Sequence, residues 1–358
     1  MTPAAQQGLL PDTHIERLLA DGAIGASQPL DAGQVQPASL DLRLGPKAFR
    51  VRASFLPGAH TVAERLANLS LHELDLSKGA VLETGCVYIV PLLEHVDLPA
   101  NLHGRVNPKS STGRLDVFAR AITDRGERFD TVEAGYRGPI YLEISPRTFP
   151  ILARQGSRFA QMRIGAGQIV LDDAQTQALH AVSPLVSGPA SVRGGLELSV
   201  DLQMEGPVGY RARRYGGVID IDLKAAQPVE AFWEPVHAQD GAIVLDPFEF
   251  YILSSREAIT IPRDHAAEMV PVDPLVGEFR VHYAGFFDPG FGDPEAGGAG
   301  SRAVLEVRSR DVPFVLHHGQ SVCRLVYERM LEVPSRLYGS GLGSNYQAQT
   351  LKLSKHFR

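Results

Sequence analysis

Hydrophobic and polar positions alternate along this chain in short runs bounded by turn residues. The runs are SLDLRLG (39–45), AVLETGCVYIVPL (80–92), GPIYLEIS (138–145), SVDLQME (199–205), GVIDIDL (217–223), AIVLDPFEFYILS (242–254), GEFRVHYAGFF (277–287), AVLEVRS (303–309) and SVCRLVYERM (321–330). A period of two places every second side chain on one face, which predicts half-buried strands. Helical periodicity is confined to DTHIERLLAD (12–21), with Asp12 or Thr13 as its cap. HELDLSKG (72–79) and the residues around 173–180 fit neither period cleanly. Residues 183–196 read as a linker or exposed connection, and GDPEAGGAGSR (292–302) as a mobile surface loop. The pattern predicts a mostly β protein of short strands, a sandwich or barrel with few short helices.

The runs repeat. A shift of 163 residues lays Val81-Leu82 on Val244-Leu245, Tyr88-Ile89 on Tyr251-Ile252, Pro99 on Pro262 and Pro108 on Pro271. The same shift carries Glu143, Arg147, Pro150 and Gly156 onto Glu306, Arg310, Pro313 and Gly319. One offset that fits both ends implies a duplicated fold, with loops that differ internally. The expected domains are 1–182 and 197–358. The copies diverge where chemistry would reside. Ser110, Ser111 and Arg114 fall on Asp273, Pro274 and Gly277, and HYAGFFDPGFG (282–292) has no equivalent beside FDTVEAGYRG (129–138).

Bulk properties narrow the class. With 358 residues there is room for two ordinary domains. A net charge of −6 gives no basic excess to neutralise a nucleic-acid backbone or to seek an acidic membrane surface. No run is long enough to span a bilayer, and the N-terminus lacks the basic and apolar regions of a signal peptide. Cys86 and Cys323 lie in apolar runs and read as reduced thiols, so a cytoplasmic protein is expected.

Two features carry candidate chemistry. Ser110, Ser111 and Arg114 put two hydroxyls and a guanidinium within one turn of chain, a donor set suited to a phosphate. Glu143 and Glu306 are carboxylates in apolar strands, where an ionised group must be paired or used. Each has bland readings: an ordinary turn for the first, and a salt bridge to the arginine four residues on for the second. Asp288-Pro289-Gly290 also makes a plain β-turn. His317-His318 reads as exposed turn, and Trp233 as core.

These residues resemble the family of dCTP deaminases and trimeric dUTPases, most closely its double-length dCTP deaminases. SSTGR (110–114) is similar to the family's Ser-Ser-x-x-Arg phosphate motif, and QPASLDLRLG (36–45) to its N-terminal segment. HYAGFFDPGFG resembles its sugar-and-base hairpin, with Ala284 and Asp288 at the matching positions. VLEVRS resembles the strand bearing the catalytic glutamate. YGSGLGSNYQAQ (338–349) resembles the tail that closes over nucleotide, with Tyr338 and Gln349 matching. The hairpin position usually held by arginine is Phe286, and the tail position usually held by lysine is Asn345. Lys109, Arg105, Arg280, Lys352 and Lys355 are candidates to compensate.

The resemblance implies tandem jelly-roll-like domains that convert dCTP to dUTP and ammonia. It implies magnesium on the triphosphate, no zinc, and a homo-oligomer with pseudo-trimeric packing of domains. The absence of the His-x-Glu and Pro-Cys-x-x-Cys zinc signature agrees. Water would then be activated by a glutamate alone. Family sites lie between subunits. The expected arrangement sets Ser110, Ser111 and Arg114 against Ala284, Asp288 and Glu306. The other arrangement uses Glu143 as base, with Glu133 at the sugar position. A dUTP pyrophosphatase, a bifunctional enzyme and a nucleotide-binding scaffold are the competing readings.

Overall fold

The structure, a computed structural model, describes residues 7–272, 279–281, 285–296, 298, 300–339 and 346–358, the side chains of 279–281 excepted. The chain divides into two compact units, 1–169 with 217–224, and 170–216 with 225–358. Both are mostly β.

In the first unit one sheet runs Thr131–Val132, Leu102–Pro108, Arg158–Ala166, Ser39–Arg43, Val35–Gln36. The other runs Val117–Thr123, Arg137–Pro146, Val87–Asp97, Lys47–Val51, Ser70–Asp75. Alternation sends Leu40, Leu42, Ile89, Leu142, Ile144 and Met162 fully inside. In the second unit the equivalent sheets are built on Leu196–Ser199, Ser321–Arg329 and His265–Pro271, and on Gly209–Ala212, Phe250–Ile259 and Ser301–Ser309. Their core includes Leu198, Leu253, Met269, Leu305, Cys323 and Tyr327.

The duplication holds at the level of single pairs. Glu143 faces Ile89 and Ile144 faces Tyr88; Glu306 faces Ile252 and Val307 faces Tyr251. The Tyr88 hydroxyl accepts the Glu83 N–H at 3.0 Å, and the Tyr251 hydroxyl accepts the Asp246 N–H at 3.0 Å. The offset fails in other strands, as between Leu40 and Leu196, which face Met162 and Leu325 and differ by 156, and it fails again in the hairpin. Thr131 pairs with Arg105 and Phe286 with Glu268, so this strand is shifted by 155 residues while its partner is shifted by 163. Asp288 therefore follows its strand as Glu133 follows Thr131–Val132. The second copy is shorter before that strand and longer after it.

Several local expectations change. The helix spans Asp12–Ala20 with Pro11 at the N-cap, because Asp12 is buried inside the first turn and accepts the Thr13 N–H. Residues 200–205 are not part of a strand, which ends at Ser199. The Asp201 carboxylate accepts the Gln203 N–H at 3.0 Å and turns the chain after Ser199. The run 242–254 is broken into Ala242–Leu245 and Phe250–Ile259. Ser70–Asp75 is a strand, and Asp173–Val182 is a helix whose capping box joins Asp172 and Gln175. The connection 183–196 is pinned rather than loose: Leu185 and Val186 are buried, and the Thr260 N–H donates to Leu185 O. In 292–302, Pro294–Ala296 form a 3₁₀ turn and the next strand starts at Ser301.

Buried charge ties the first unit together. Glu94 accepts from Arg43 N at 2.7 Å, Arg43 Nε at 2.8 Å and Gln34 Nε2 at 2.8 Å. The corresponding Glu257 is held instead by Ser199, through its N–H at 2.8 Å and its hydroxyl at 2.6 Å. Glu94→Ala should destabilise by about 3–5 kcal/mol, because it removes the buried carboxylate from the Arg43 cation and leaves it only Asp31 at 3.3 Å and two carbonyls. Glu257→Ala should cost only about 1–2 kcal/mol, since it strands neutral donors. Denaturant unfolding of both variants checks the ordering, and equal costs would contradict it.

Candidate active site

The hydroxyl and guanidinium cluster sits where the strand Leu102–Pro108 ends. Lys109 caps a single turn, Ser110–Gly113, and Arg114 closes it through an N–H bond to Ser110 O at 3.1 Å. Ser111 and Arg114 are buried, and Ser110 is half-buried. Asp116, in the left-handed region at φ 57°, ends the turn and accepts the Arg147 N–H at 2.9 Å.

The turn is anchored from residues that the sequence did not single out. The Lys109 N–H donates to Phe159 O at 2.8 Å, and its ammonium pairs with the buried Asp41. Asp41 also pairs with Arg158 at 3.4 Å, and Arg158 with Asp31 at 3.0 Å. Lys109 is thus engaged by a carboxylate beside the cluster. The signal was present in SLDLR, but it becomes readable only once Asp41 is known to lie opposite Gln161. The corresponding residues of the second copy, 273–277, lie outside the described residues.

Glu143 is 2% exposed. Its Oε1 accepts Arg120 Nε at 3.1 Å and also Arg120 Nη2. Arg120 lies opposite Glu143 on the neighbouring strand. Its guanidinium is stacked 3.8 Å from the Phe129 ring centre and donates to Ser54 Oγ at 3.2 Å. Oε2 of Glu143 is buried with no hydrogen-bond partner among the described residues. The expected pairing with Arg147 is not formed, because residues four apart on a strand are separated by about 13 Å. Arg147 lies instead over the Phe118 ring. Glu133, the alternative sugar-position residue, is exposed and pairs with Arg128 at 2.7 Å.

In the second unit Glu306 is 5% exposed in the middle of Ser301–Ser309. Asp288 is buried and opens the Asp-Pro-Gly turn, with Gly290 at φ 91°. The tail folds onto that turn. The Tyr338 N–H donates to Pro289 O at 2.9 Å, and the Tyr338 ring packs 5.5 Å from Phe291, which meets Phe287 edge-on at 5.1 Å. Gln349 Nε2 donates to Arg302 O at 2.9 Å, and the Arg302 N–H returns a bond to Gln349 O at 3.0 Å. Arg302 lies on the Glu306 strand.

Gln347, absent from the sequence-level candidates, stitches the turn together. Its amide donates to Gly290 O and Ala296 O at 3.1 Å each, and it accepts the Gly292 N–H at 3.1 Å. Phe286 is buried and pairs with Glu268. Ala284 and Asn345 lie outside the described residues, as does the side chain of Arg280. Lys352 lies 5.8 Å from the centre of the Tyr346 ring and, with Lys355, lines a cleft of about 410 Å³ bordered by Tyr210 and Phe357. Trp233 is core, packed between Phe250 and Phe357. His317 is exposed, while His318 accepts the Leu202 N–H at 3.1 Å. Among the described residues no three His, Cys, Asp or Glu side chains gather as a metal site, and no helix is long and apolar enough to cross a membrane.

Two expectations follow from this geometry. Gln347→Ala removes three bonds from the turn, so amide exchange at Gly292 should rise about 10- to 100-fold, the equivalent of 1–3 kcal/mol of local opening. Exchange along Val87–Asp97 should be unchanged, and an unaltered Gly292 would refute the stitching role. The second concerns Asp201. Burial pushes its carboxyl up, but the Gln203 N–H, Arg302 and His318 outweigh that and hold it below its ordinary 3.8. The folded chain therefore binds this proton less tightly than the unfolded one. The group contributes stability above its ordinary value and loses it as the pH falls further. Thermal midpoints of wild type and Asp201→Asn should differ at pH 6 and converge in strong acid; a constant gap would contradict the linkage.

The domain family described as 2'-deoxycytidine 5'-triphosphate deaminase (DCD) N-terminal domain matches residues 6–168, and the C-terminal domain of the same description matches 172–357. A dCTP deaminase of Natronomonas pharaonis is 33% identical over 159 residues, 43% of this chain and 78% of that protein. A dCTP deaminase, dUMP-forming, of Corynebacterium glutamicum is 32% identical over 161 residues, 44% of this chain and 79% of that protein. The crystal structure of 2'-deoxycytidine 5'-triphosphate deaminase from Agrobacterium tumefaciens matches with a TM-score of 0.90 at 56% identity, covering 94% of this chain and 100% of that one. The chain belongs to the 2'-deoxycytidine 5'-triphosphate deaminase family and carries that family's N- and C-terminal domains in tandem.

Proposed function

We propose that this protein deaminates dCTP to dUTP and ammonia, with Glu306 as the base that activates water. The substrate is the magnesium complex of the triphosphate. Ser110, Ser111 and Arg114 grip its phosphates, Ala284 and Asp288 seat the deoxyribose and base, and Tyr338 and Gln349 cover them. Glu306 takes a proton from water as the oxygen bonds to C4 of cytosine. It then passes that proton to the amino group, the C4–N bond breaks, and ammonia leaves. Surrounding hydroxyl and backbone donors stabilise the tetrahedral centre.

The observation that carries this choice is the docking of the tail: Gln349 Nε2 donates to Arg302 O on the strand that bears Glu306. The reading requires no zinc. Cys86 and Cys323 are the only thiols in the sequence, and burial pushes the Cys323 thiol far up, which disfavours the thiolate a metal would need.

A second reading, in which dUTP is hydrolysed onward, is favoured by the relatives named as dUMP-forming. In that chemistry Asp288 would hold a water at the α-phosphate. Release of pyrophosphate together with ammonia from dCTP would distinguish it from deamination alone.

Glu306→Gln should lower ammonia release by about 10²- to 10⁴-fold while dCTP still binds. Glu143→Gln should retain most of the activity and lose about 1–3 kcal/mol of stability through its weakened Arg120 pair. If Glu143→Gln alone is inactive, the base belongs to the first copy. If neither variant loses turnover, the general-base assignment fails.

A further inference from the structure

The two units treat one sheet edge differently. In the first unit Ile151–Ala153 pairs on one side with Ala80–Leu82 and on the other with the parallel strand Ile219–Asp220. The carbonyls of Pro150 and Leu152 accept the N–H groups of Ile219 at 3.0 Å and Ile221 at 3.2 Å. Arg154 forks onto Asp220, both contacts at 2.7 Å, and the Ser157 hydroxyl donates to Asp222 at 2.7 Å. The edge is fully dressed.

In the second unit the same register recurs. Val244 faces Val315 as Val81 faces Leu152. Among the described residues, however, this sheet has two strands only. The carbonyls of Pro313 and Val315 stand where those of Pro150 and Leu152 receive their strand. A proline at this place does not prevent pairing, as Pro150 demonstrates. The side chains around the edge are apolar and in water: Val244 is 57% exposed, Val315 50%, Val312 48% and Phe248 58%. The counterpart of Val312 in the first unit is Phe149, which is fully buried.

Phe248 adds an independent observation. Its N–H donates to Ser309 O at 3.1 Å, as the Gly85 N–H donates to Pro146 O at 3.0 Å. Gly85 has φ 71° and Phe248 has φ 63°. A bulky aromatic held in the left-handed region is strained, and here it is held so with its ring largely in solvent. Packing within the unit does not explain it; an external contact would.

We propose that the edge strand Phe314–His317 and the patch of Val244, Phe248, Val312 and Val315 bind the same surface of a second copy of this chain, edge to edge across a two-fold axis. The surface is self-complementary. An antiparallel pairing brings apolar side chains together and sets the exposed Asp311 at one end against the exposed His317 of the partner copy at the other. Unpaired apolar edges are association sites unless something blocks them, and among the described residues no strand covers this one.

The test is sedimentation of the full-length protein across micromolar concentrations, with ammonia release as a check that each variant is folded. Wild type should show an association step that doubles its mass. Val315→Lys should remove that step or weaken it at least tenfold. Phe248→Gly should weaken association without lowering the thermal midpoint of the dilute protein, because the left-handed turn then suits its residue. Phe314→Cys, at the axis that the Asp311–His317 pairing sets, should cross-link to itself on oxidation in a Cys86→Ser background. A wild type with no such step, or variants that assemble as tightly as wild type, would overturn the proposal. Association lost in Val315→Lys, with no self-cross-link formed by the Phe314→Cys variant, would overturn the edge-to-edge form by assigning the edge another occupant.

Discussion

Burying Glu143 and Glu306 to within a few percent of zero exposure takes each carboxylate out of water, and that loss must be compensated by a partner or turned to chemical use. In the first copy compensation comes from Arg120, aimed across the strand pair and clamped by the Phe129 ring. What the second copy gathers around its carboxylate strand is the tail, through Gln349 and Arg302, which also folds onto the Asp288-Pro289-Gly290 turn. A duplicated carboxylate has thus acquired two environments. In one it anchors the Arg120 cation; the strand of the other also receives Gln349 of the tail.

A buried carboxylate and its half-buried counterpart diverge in the same way. Glu94 and Glu257 occupy equivalent places, and both accept a backbone N–H. One then holds a buried guanidinium and the other a serine hydroxyl. The first copy accumulates charge near the Ser110–Gly113 turn, with Arg43, Asp31, Arg158, Asp41 and Lys109 paired in that order. The linkage fixes the Lys109 backbone from which the Ser110–Gly113 turn starts. Rigidity at this turn suits a site that must present hydroxyls and a guanidinium to one anion without reorganising them.

Much of this was legible along the chain because strands announce themselves by period two and duplication by a constant offset. The pairings Glu143–Ile89 and Glu306–Ile252 obey the 163-residue shift as the aligned sequences do. Two kinds of feature were not legible. The hairpin transfers residues from one side of a strand to the other, so a single offset hides that Asp288 corresponds to Glu133. Partners across sheets, such as Lys109 with Asp41 or Glu143 with Arg120, depend on register between strands, which side-chain period does not encode. The arginine four residues beyond Glu143 was misleading for the same reason. That spacing makes neighbours on a helix and strangers on a strand.

Duplication also turns each unit into a control for the other. Where both copies keep a feature, as with the tyrosine hydroxyls of Tyr88 and Tyr251 over their turns, the fold requires it. Where a glycine at φ 71° in one copy is an exposed phenylalanine at φ 63° in the other, the fold does not require the change and is strained by it. The same logic applies to the edge at Val315, dressed by Ile219 and Ile221 in one copy and left with two strands in the other. Differences that cost the unit something, such as the strained and exposed Phe248, mark where the two copies have been put to different uses.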